Sequence, residues 1–111
     1  LIKRVLTNLI TNAMRHTPEG GTVDVGINLL TEKGGLCFSV KDSGNGLAQE
    51  YHEKIFNKFE QISLKEAGVI AGSSGLGLAF CKMAVEAHGG TIWVESEGEG
   101  KGASFCFVLP L

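Results

Sequence analysis

Hydrophobic and polar positions along the chain first follow a helical period. Between Leu1 and His16, apolar residues recur three or four positions apart, as in an amphipathic helix. Thr17-Pro18 predicts the end of this helix, because the residue before a proline disfavours the helical conformation. The apolar positions are Ile2, Val5, Leu6, Leu9, Ile10 and Ala13.

The pattern then changes to the alternation that is typical of strands. We expect an antiparallel hairpin over residues 22–41, with a turn at residues 32–35. Two more alternating segments lie near the end of the chain. The alternating apolar residues are Val23, Val25 and Ile27, then Leu36, Phe38 and Val40, then Ile92 and Val94, and last Phe105, Phe107 and Leu109.

Two helical segments separate the strand pairs. Ala48–Phe59 predicts a short helix with an aromatic side. A second helical pattern begins at Leu76, inside the glycine-rich stretch Gly72–Lys82, and ends near His88-Gly89-Gly90. Residues 61–74 have no sustained period, which indicates a lid or a linker. The element order predicts an α+β fold, a two-layer sandwich in which about three helices cover one face of a mixed, mostly antiparallel sheet.

Composition narrows the class of protein. The 111 residues fit one domain, and 43% hydrophobic content is typical of a globular core. A net charge of −2 provides no basic surface for nucleic acid or for direct membrane contact. Cys37, Cys81 and Cys106 lie in apolar runs, so we expect reduced core thiols and a cytoplasmic location. There is no apolar run of roughly 20 residues, and no signal-like start. Because the chain begins inside a helical pattern, we expect a piece of a longer protein.

Three stretches carry candidate chemistry, and each has two interpretations. The glycines at 72, 75 and 77 precede a helix, which suits phosphate binding or a simple capping loop. Asn8 and Asn12 stack one turn apart, and either offer amide oxygen to a cation such as Mg²⁺ or form a solvated helix face. Asp42 ends a strand before Gly44 and Gly46, and either accepts a hydrogen bond from an exocyclic amine or caps a turn.

Together these stretches resemble the ATP-binding catalytic domain of sensor histidine kinases, in the superfamily shared with gyrase-type ATPases, ninety-kilodalton heat-shock chaperones and mismatch-repair ATPases. The likeness covers nearly the whole chain, residues 1–111. We expect the family's first strand and its phosphoacceptor hairpin to be missing from this sequence. The likeness is carried by five motifs in the family's order. They are Leu6–Thr17 for the asparagine box, Asp42–Leu47 for the first glycine box, Ile55–Phe59 for the phenylalanine box, Gly72–Ala79 for the second glycine box, and Gly100–Pro110 for the closing strand.

The resemblance implies a set of ATP-binding residues, which are Asn8, Asn12, Arg15, His16, Asp42, Gly44, Gly46, Leu47, Phe56, Gly72, Gly75, Leu76, Gly77 and Leu78. It implies that Asn12, with Asn8 as a second candidate, ligates Mg²⁺, and that Asp42 binds the adenine amine. Residues 61–74 would be the lid. Two positions depart from the family pattern: Gln61 stands where an arginine is common, so that Lys58 or Lys65 would contact the triphosphate, and Ala103 stands where a hydroxyl is common.

The resemblance also implies an activity. Asn8 occupies the position at which the ATP-hydrolysing relatives carry a glutamate, and an amide cannot accept a proton from water. We therefore expect the chain to bind Mg-ATP and present its γ-phosphate to a histidine on a separate dimerisation hairpin, in two-component signalling, without phosphorylating itself. The expected partners are that hairpin and a response regulator receiver domain. We expect this piece to be a monomer and its parent a homodimer, cytoplasmic or at the cytoplasmic side of a membrane-anchored sensor. The alternatives are a nucleotide-gated interaction module and a gyrase- or chaperone-like ATPase.

Overall fold

The fold is seen in a computed structural model that describes residues 1–30, 34–57, 77–98 and 100–110. Over these ranges the chain forms two α-helices, four strands and two 3₁₀ turns. In chain order the elements are α1 (Ile2–His16), β1 (Val23–Leu30), β2 (Gly35–Asp42), the turns Gln49–Tyr51 and Lys54–Phe56, α2 (Gly77–Ala87), β3 (Thr91–Glu95) and β4 (Ala103–Pro110).

The four strands form one sheet in the order β1-β2-β4-β3. Every pairing between these described strands is antiparallel, so the parallel pair of a mixed sheet does not occur among them. The predicted α+β class and the hairpin of β1 with β2 are confirmed. The register of β2 with β4 sets Asp42 directly opposite Ala103, which brings the end of β2 beside the start of β4.

The core lies between the helices and one face of the sheet. On α1, Val5, Leu9 and Ala13 are fully buried at a spacing of four, which places them on one side of the helix. Below the helices, the rings of Phe38 and Phe107 stack with centroids 4.7 Å apart across β2 and β4. These contacts fix α1 over the sheet and so determine where the polar residues at its end lie.

Both helices end where the sequence predicts. After α1, Thr17 is extended, and its hydroxyl donates a hydrogen bond to the carbonyl oxygen of Ala13 at 2.7 Å. After α2, the N–H of Gly90 donates to the carbonyl of Val85 at 2.9 Å and that of Gly89 to Glu86 at 3.0 Å. This pair of bonds is a Schellman motif, the helix ending that His88-Gly89-Gly90 indicates.

The helix predicted over Ala48–Phe59 is wrong as far as residue 57, and residues 58 and 59 lie outside the described ranges. In its place are the two 3₁₀ turns, of three residues each, without side-chain caps. A segment this short gains little from helical hydrogen bonds, because nucleation of a helix is unfavourable. Burial of Ile55 and Phe56 in the core holds the second turn instead.

The apolar face of β1 also departs from the predicted half-buried strand. Val25, Ile27 and Leu29 lie on the same side of the sheet as the core residues of β2, yet they are 51%, 60% and 59% exposed. β1 is one of the two edge strands of the described sheet, and the helices pack mainly over β2 and β3. Alternation predicts which side a residue faces, but not whether another element covers it.

The three cysteines are free thiols. Cys81 and Cys106 are buried as predicted, whereas Cys37 is only half-buried. Burial raises the pKa of the Cys81 thiol to about 12, against a smaller opposing effect of a hydrogen bond with the Asn8 side chain. Cys81 is therefore neutral and unreactive in the folded chain. Among the described residues, no helix has the length and apolar content to cross a bilayer.

Candidate nucleotide-binding site

A pocket opens where the C-terminal end of α1 meets the end of β2. Its empty space of about 340 Å³ includes the solvent at its open mouth. The walls are mainly apolar and contain a few polar groups, as is usual for small-molecule sites. The lining residues are Asn12, His16, Asp42, Gly46, Leu47, Ile55, Leu78, Ala103 and Phe105.

Asp42 is the buried acid of this pocket. It is the last residue of β2 and is 4% exposed. One carboxylate oxygen, Oδ1, accepts a hydrogen bond from the N–H of Gly44 at 2.9 Å. The other oxygen has no hydrogen-bond partner among the described residues. A carboxylate that lies on a pocket wall with one free oxygen can accept a hydrogen bond from a ligand amine.

Two glycines after Asp42 allow the loop to pack tightly. A Cβ at Gly44 would overlap the carbonyl oxygen of His16, and a Cβ at Gly46 would overlap that of Gly98. Gly46 also has a φ of 69°, a backbone conformation that residues other than glycine rarely adopt. The family resemblance implies that these two glycines make room for a bound base. The structure indicates that they also leave space for neighbouring backbone.

His16 faces the same pocket from the last turn of α1. Burial lowers the pKa of its imidazole below 6.5, and the nearby negative charge of Asp42 opposes this shift. Desolvation of the charged form is the larger of the two effects. His16 is therefore neutral at pH 7, and it contributes no positive charge to the pocket.

We expect His16 to make the folded chain less stable in mild acid. Because its pKa is lower in the folded chain than in the unfolded one, the unfolded chain binds more protons below pH 6.5. The free energy of unfolding should then fall as the pH drops below 6.5. Urea unfolding of the wild type and of His16→Gln at pH 7.5 and pH 5.5 measures this, and the variant should lose less stability between the two pH values. An equal loss in both proteins would contradict the proposed origin of the shift.

The pocket brings together only part of the predicted set. Six of the predicted residues line it: Asn12, His16, Asp42, Gly46, Leu47 and Leu78. Gly44 does not line it, but packs against the carbonyl of His16 and donates a hydrogen bond to Asp42. Four others do not line it, and Gly72, Gly75, Leu76 and the lid residues 61–74 lie outside the described ranges. The four are Asn8, Arg15, Phe56 and Gly77.

These four residues occupy different places. Asn8 lies against the start of α2, such that a Cβ at Gly77 would be 3.7 Å from its amide oxygen. Arg15 is exposed on α1. The ring of Phe56 packs edge-on against Phe105, with centroids 6.1 Å apart, and so supports the pocket wall without forming it.

Three wall residues were not assigned to the site from the sequence. The resemblance includes Ile55 in the phenylalanine box and Phe105 in the closing strand without giving either a binding role, and it treats Ala103 as a departure from a hydroxyl position. Strand parity was the available signal, because Ala103 and Phe105 lie on the same side of β4 and Ala103 pairs with Asp42. It could not be used before the neighbour of β2 in the sheet was known.

The donor atoms suit a magnesium ion that is carried in with phosphate. No group of three or more His, Cys, Asp or Glu side chains that could hold a metal occurs in the described part of the chain. Mg²⁺ keeps several water molecules and commonly binds one or two protein oxygens together with substrate phosphates. The amide oxygen of Asn12, on the pocket wall, fits this role. A site that bound the ion without a ligand would need more oxygen donors.

Comparisons with family models, curated proteins and solved structures all indicate the same family. Residues 1–111 match the family model described as histidine kinase-, DNA gyrase B- and HSP90-like ATPase. The sensor histidine kinase WalK of Bacillus subtilis is 43% identical over 98% of this chain, which corresponds to 18% of WalK. This chain thus spans less than a fifth of that relative.

Solved structures agree with this match. Full-length ShkA, solved in complex with AMPPNP, superposes on 98% of this chain and 21% of its own with a TM-score of 0.82 and 33% identity. Histidine kinase ThkA, solved in complex with the response regulator protein TrrA, covers 98% of this chain and 28% of its own with a TM-score of 0.74 and 32% identity. The chain therefore belongs to the histidine kinase-, DNA gyrase B- and HSP90-like ATPase family, and its relatives are sensor histidine kinases.

Proposed function

We propose that this chain binds Mg-ATP and presents the γ-phosphate to a histidine on a separate phosphoacceptor domain. The observation that carries the proposal is the buried Asp42 carboxylate, held by Gly44 and directed into a mainly apolar pocket. Membership of the family and the AMPPNP complex of ShkA support a nucleotide as the ligand.

Adenine recognition follows from the charge and shape of this pocket. The free oxygen of Asp42 accepts a hydrogen bond from the exocyclic amine of adenine. Guanine presents a carbonyl oxygen at that position, and two acceptors would repel each other. Leu47, Ile55 and Phe105 provide apolar area for the ring, and they exclude water from the Asp42 hydrogen bond.

The triphosphate extends from the base toward α1 and the start of α2. Asn12 would hold Mg²⁺ through its amide oxygen, and the ion would supply positive charge against the phosphates. Arg15 and Asn8 contact the phosphates or their bound water. Gly75, Leu76 and Gly77 provide backbone N–H groups, as glycine-rich segments before helices do, and Gly72 belongs to the same binding segment. Of these four residues, only Gly77 lies in the described ranges.

Transfer to another domain fits the environment of the histidines of this chain. His16 is half-buried on the pocket wall. The other two have backbone contacts: Nε2 of His52 lies 3.1 Å from the carbonyl oxygen of Leu47, and Nδ1 of His88 lies 2.8 Å from that of Ala84. A phosphoacceptor has to expose a ring nitrogen to the γ-phosphate. The proposal assigns the acceptor to a separate hairpin, because His16 lies on the pocket wall, His52 contacts the pocket loop and His88 contacts the last turn of α2.

Partners and location follow from the same proposal. The acceptor hairpin belongs to the parent protein, which forms a homodimer through it, whereas this piece alone is a monomer. A response regulator receives the phosphoryl group, and the ThkA complex with TrrA is the precedent among the similar structures. The reaction takes place in the cytoplasm.

The test measures nucleotide binding and phosphate transfer separately. Calorimetric titration of the chain with AMPPNP, with and without Mg²⁺, should show binding that Mg²⁺ strengthens, and Asn12→Ala should lose most of the Mg²⁺ effect. Radiolabelled ATP should label an added phosphoacceptor hairpin from the parent, but not the chain itself. Steady phosphate release by the chain alone would indicate an ATPase of the gyrase type. Nucleotide binding without label on the hairpin would indicate an interaction module.

A further inference from the structure

Ser96 lies just after β3, outside the pocket, and its hydroxyl is fully hydrogen-bonded. It accepts hydrogen bonds from the N–H groups of Leu47 at 3.0 Å and Gly98 at 3.2 Å. Its proton is donated to the carbonyl oxygen of Gly102 at 2.7 Å, and the carbonyl oxygen of Gly98, at 3.3 Å, is a second and longer acceptor for the same proton. A serine hydroxyl has one donor and two acceptor positions, so all three are used. The hydroxyl therefore joins both ends of the β3–β4 connection to the pocket loop.

Leu47, the residue that Ser96 holds, is a wall of the pocket. It is 7% exposed, and its backbone is held on both sides by side chains that do not line the pocket. Ser96 accepts from its N–H group, and its carbonyl oxygen lies 3.1 Å from Nε2 of His52. The position of this wall is thus determined by two polar contacts from outside.

The same connection supports the rest of the loop through backbone contacts. The N–H of Gly100 donates to the carbonyl of Asn45 at 2.6 Å, and that of Gly102 donates to the carbonyl of Gly44 at 3.2 Å. The carbonyl of Gly98 lies directly against Gly46. The loop from Asp42 to Leu47 is therefore held between the end of α1 and the β3–β4 connection.

We propose that Ser96 is a positioning residue for the nucleotide base. The proposal rests on the proposed function, and it adds that base affinity depends on a hydroxyl that does not contact the base. Without that hydroxyl, the N–H groups of Leu47 and Gly98 and the carbonyl of Gly102 lose a partner. The backbone at Leu47 then shifts until its N–H group meets another acceptor, because an unpaired buried polar group is unfavourable. A wall that moves loosens the fit of the ring while the phosphate side keeps its contacts.

Four variants separate this role from a general loss of folding. Ser96→Ala removes the hydroxyl, Ser96→Thr restores it, and Ser96→Cys keeps the size with a weaker hydrogen-bonding atom. Ser104→Ala is the matched control, because it removes a hydroxyl on β4 that lies 3.5 Å from the sulfur of Cys106 and does not line the pocket. Thermal unfolding without ligand reports folding in each case.

Two measurements are made on every folded variant. Hydrogen exchange of the Leu47 amide, followed by NMR without nucleotide, should be at least about tenfold faster in Ser96→Ala than in the wild type, since one hydrogen bond is lost. Calorimetry should show AMPPNP affinity about tenfold weaker, and the preference for ATP over GTP reduced. Ser96→Thr should restore both properties, and Ser104→Ala should leave both unchanged. If Ser96→Ala does not fold, Ser96→Cys should show the same losses to a smaller degree.

The outcomes distinguish the two proposals. In Ser96→Ala, faster exchange at Leu47 with unchanged affinity and base preference would overturn the positioning role. Unchanged exchange at Leu47 would overturn it as well. Both results would leave the proposed function intact. If the wild type binds no adenine nucleotide, the proposed function fails, and the role of Ser96 fails with it. Equal weakening in Ser104→Ala would also overturn the positioning role, because the loss would then not depend on the bond to Leu47.

Discussion

Replacing Asp42 with asparagine is expected to lower the affinity for ATP by about 100-fold and to remove most of the preference for ATP over GTP. Asparagine has nearly the same shape and can still accept the hydrogen bond from Gly44 with its amide oxygen. Its amide nitrogen then occupies the position of the free carboxylate oxygen, so that a donor meets the adenine amine where an acceptor is required. The hydrogen bond to a charged acceptor is lost and a repulsive contact replaces it. Calorimetric titrations with both nucleotides measure the effect.

The control for this change is Asp24→Asn. Asp24 is an exposed carboxylate on β1 that pairs in register with Lys41, so the variant has the same change in net charge away from the pocket. Its ATP affinity should remain within about twofold of the wild type, since single exposed charges contribute little. Equal ATP affinities for Asp42→Asn and the wild type would show that Asp42 does not bind the adenine amine, and the proposed function would lose its main support.

Gly44→Ala is expected to lower the free energy of unfolding by about 3 kcal/mol and to prevent nucleotide binding at ordinary concentrations. A Cβ at Gly44 would overlap the carbonyl oxygen of His16 and would lie 3.1 Å from Oδ1 of Asp42. Both are parts of the fold that cannot move far, because one belongs to the end of α1 and the other is held by the backbone of the loop. Urea unfolding followed by circular dichroism gives the free energy.

Gly26→Ala, on strand β1, is the matched glycine-to-alanine substitution. The added Cβ would meet only the hydroxyl of Ser39, at 3.0 Å, and a serine side chain can rotate away. The free energy of unfolding of this variant should stay within about 0.5 kcal/mol of the wild type. If the two alanine variants are equally stable, the close approach of the loop to α1 is not a determinant of the fold.

The sequence predicts well where its signals are local. Helix α1 and its polar residues follow from a period of three to four residues and from Thr17-Pro18, and the C-terminal end of α2 follows from its two glycines. Asp42 became a candidate because it ends an alternating strand and precedes glycines, and the pattern also allowed the turn-capping hydrogen bond that Gly44 donates to it. Each of these features depends on residues that are close together in the chain, so the pattern alone contains the information.

Features that depend on distant parts of the chain could not be predicted. Phe105 reaches the pocket because the sheet order places β4 beside β2, and Ile55 reaches it because the turn Lys54–Phe56 packs on the core. The role of Ser96 depends on a hydrogen bond to a residue 49 positions away. The exposure of Ile27 and the two 3₁₀ turns near Ile55 likewise reflect which elements cover which, and periodicity does not contain that information.

The long separation between Ser96 and Leu47 has a consequence for the order of folding. Contacts between distant residues form slowly, because the entropy of closing a large loop is lost before they stabilise the chain. The hairpin of β1 with β2 closes a short loop, whereas the wall at Leu47 is complete only after β3 and β4 have joined the sheet. During refolding, strand formation should therefore precede the ability to capture a ligand, and a fluorescent nucleotide analogue would report the final step of assembly.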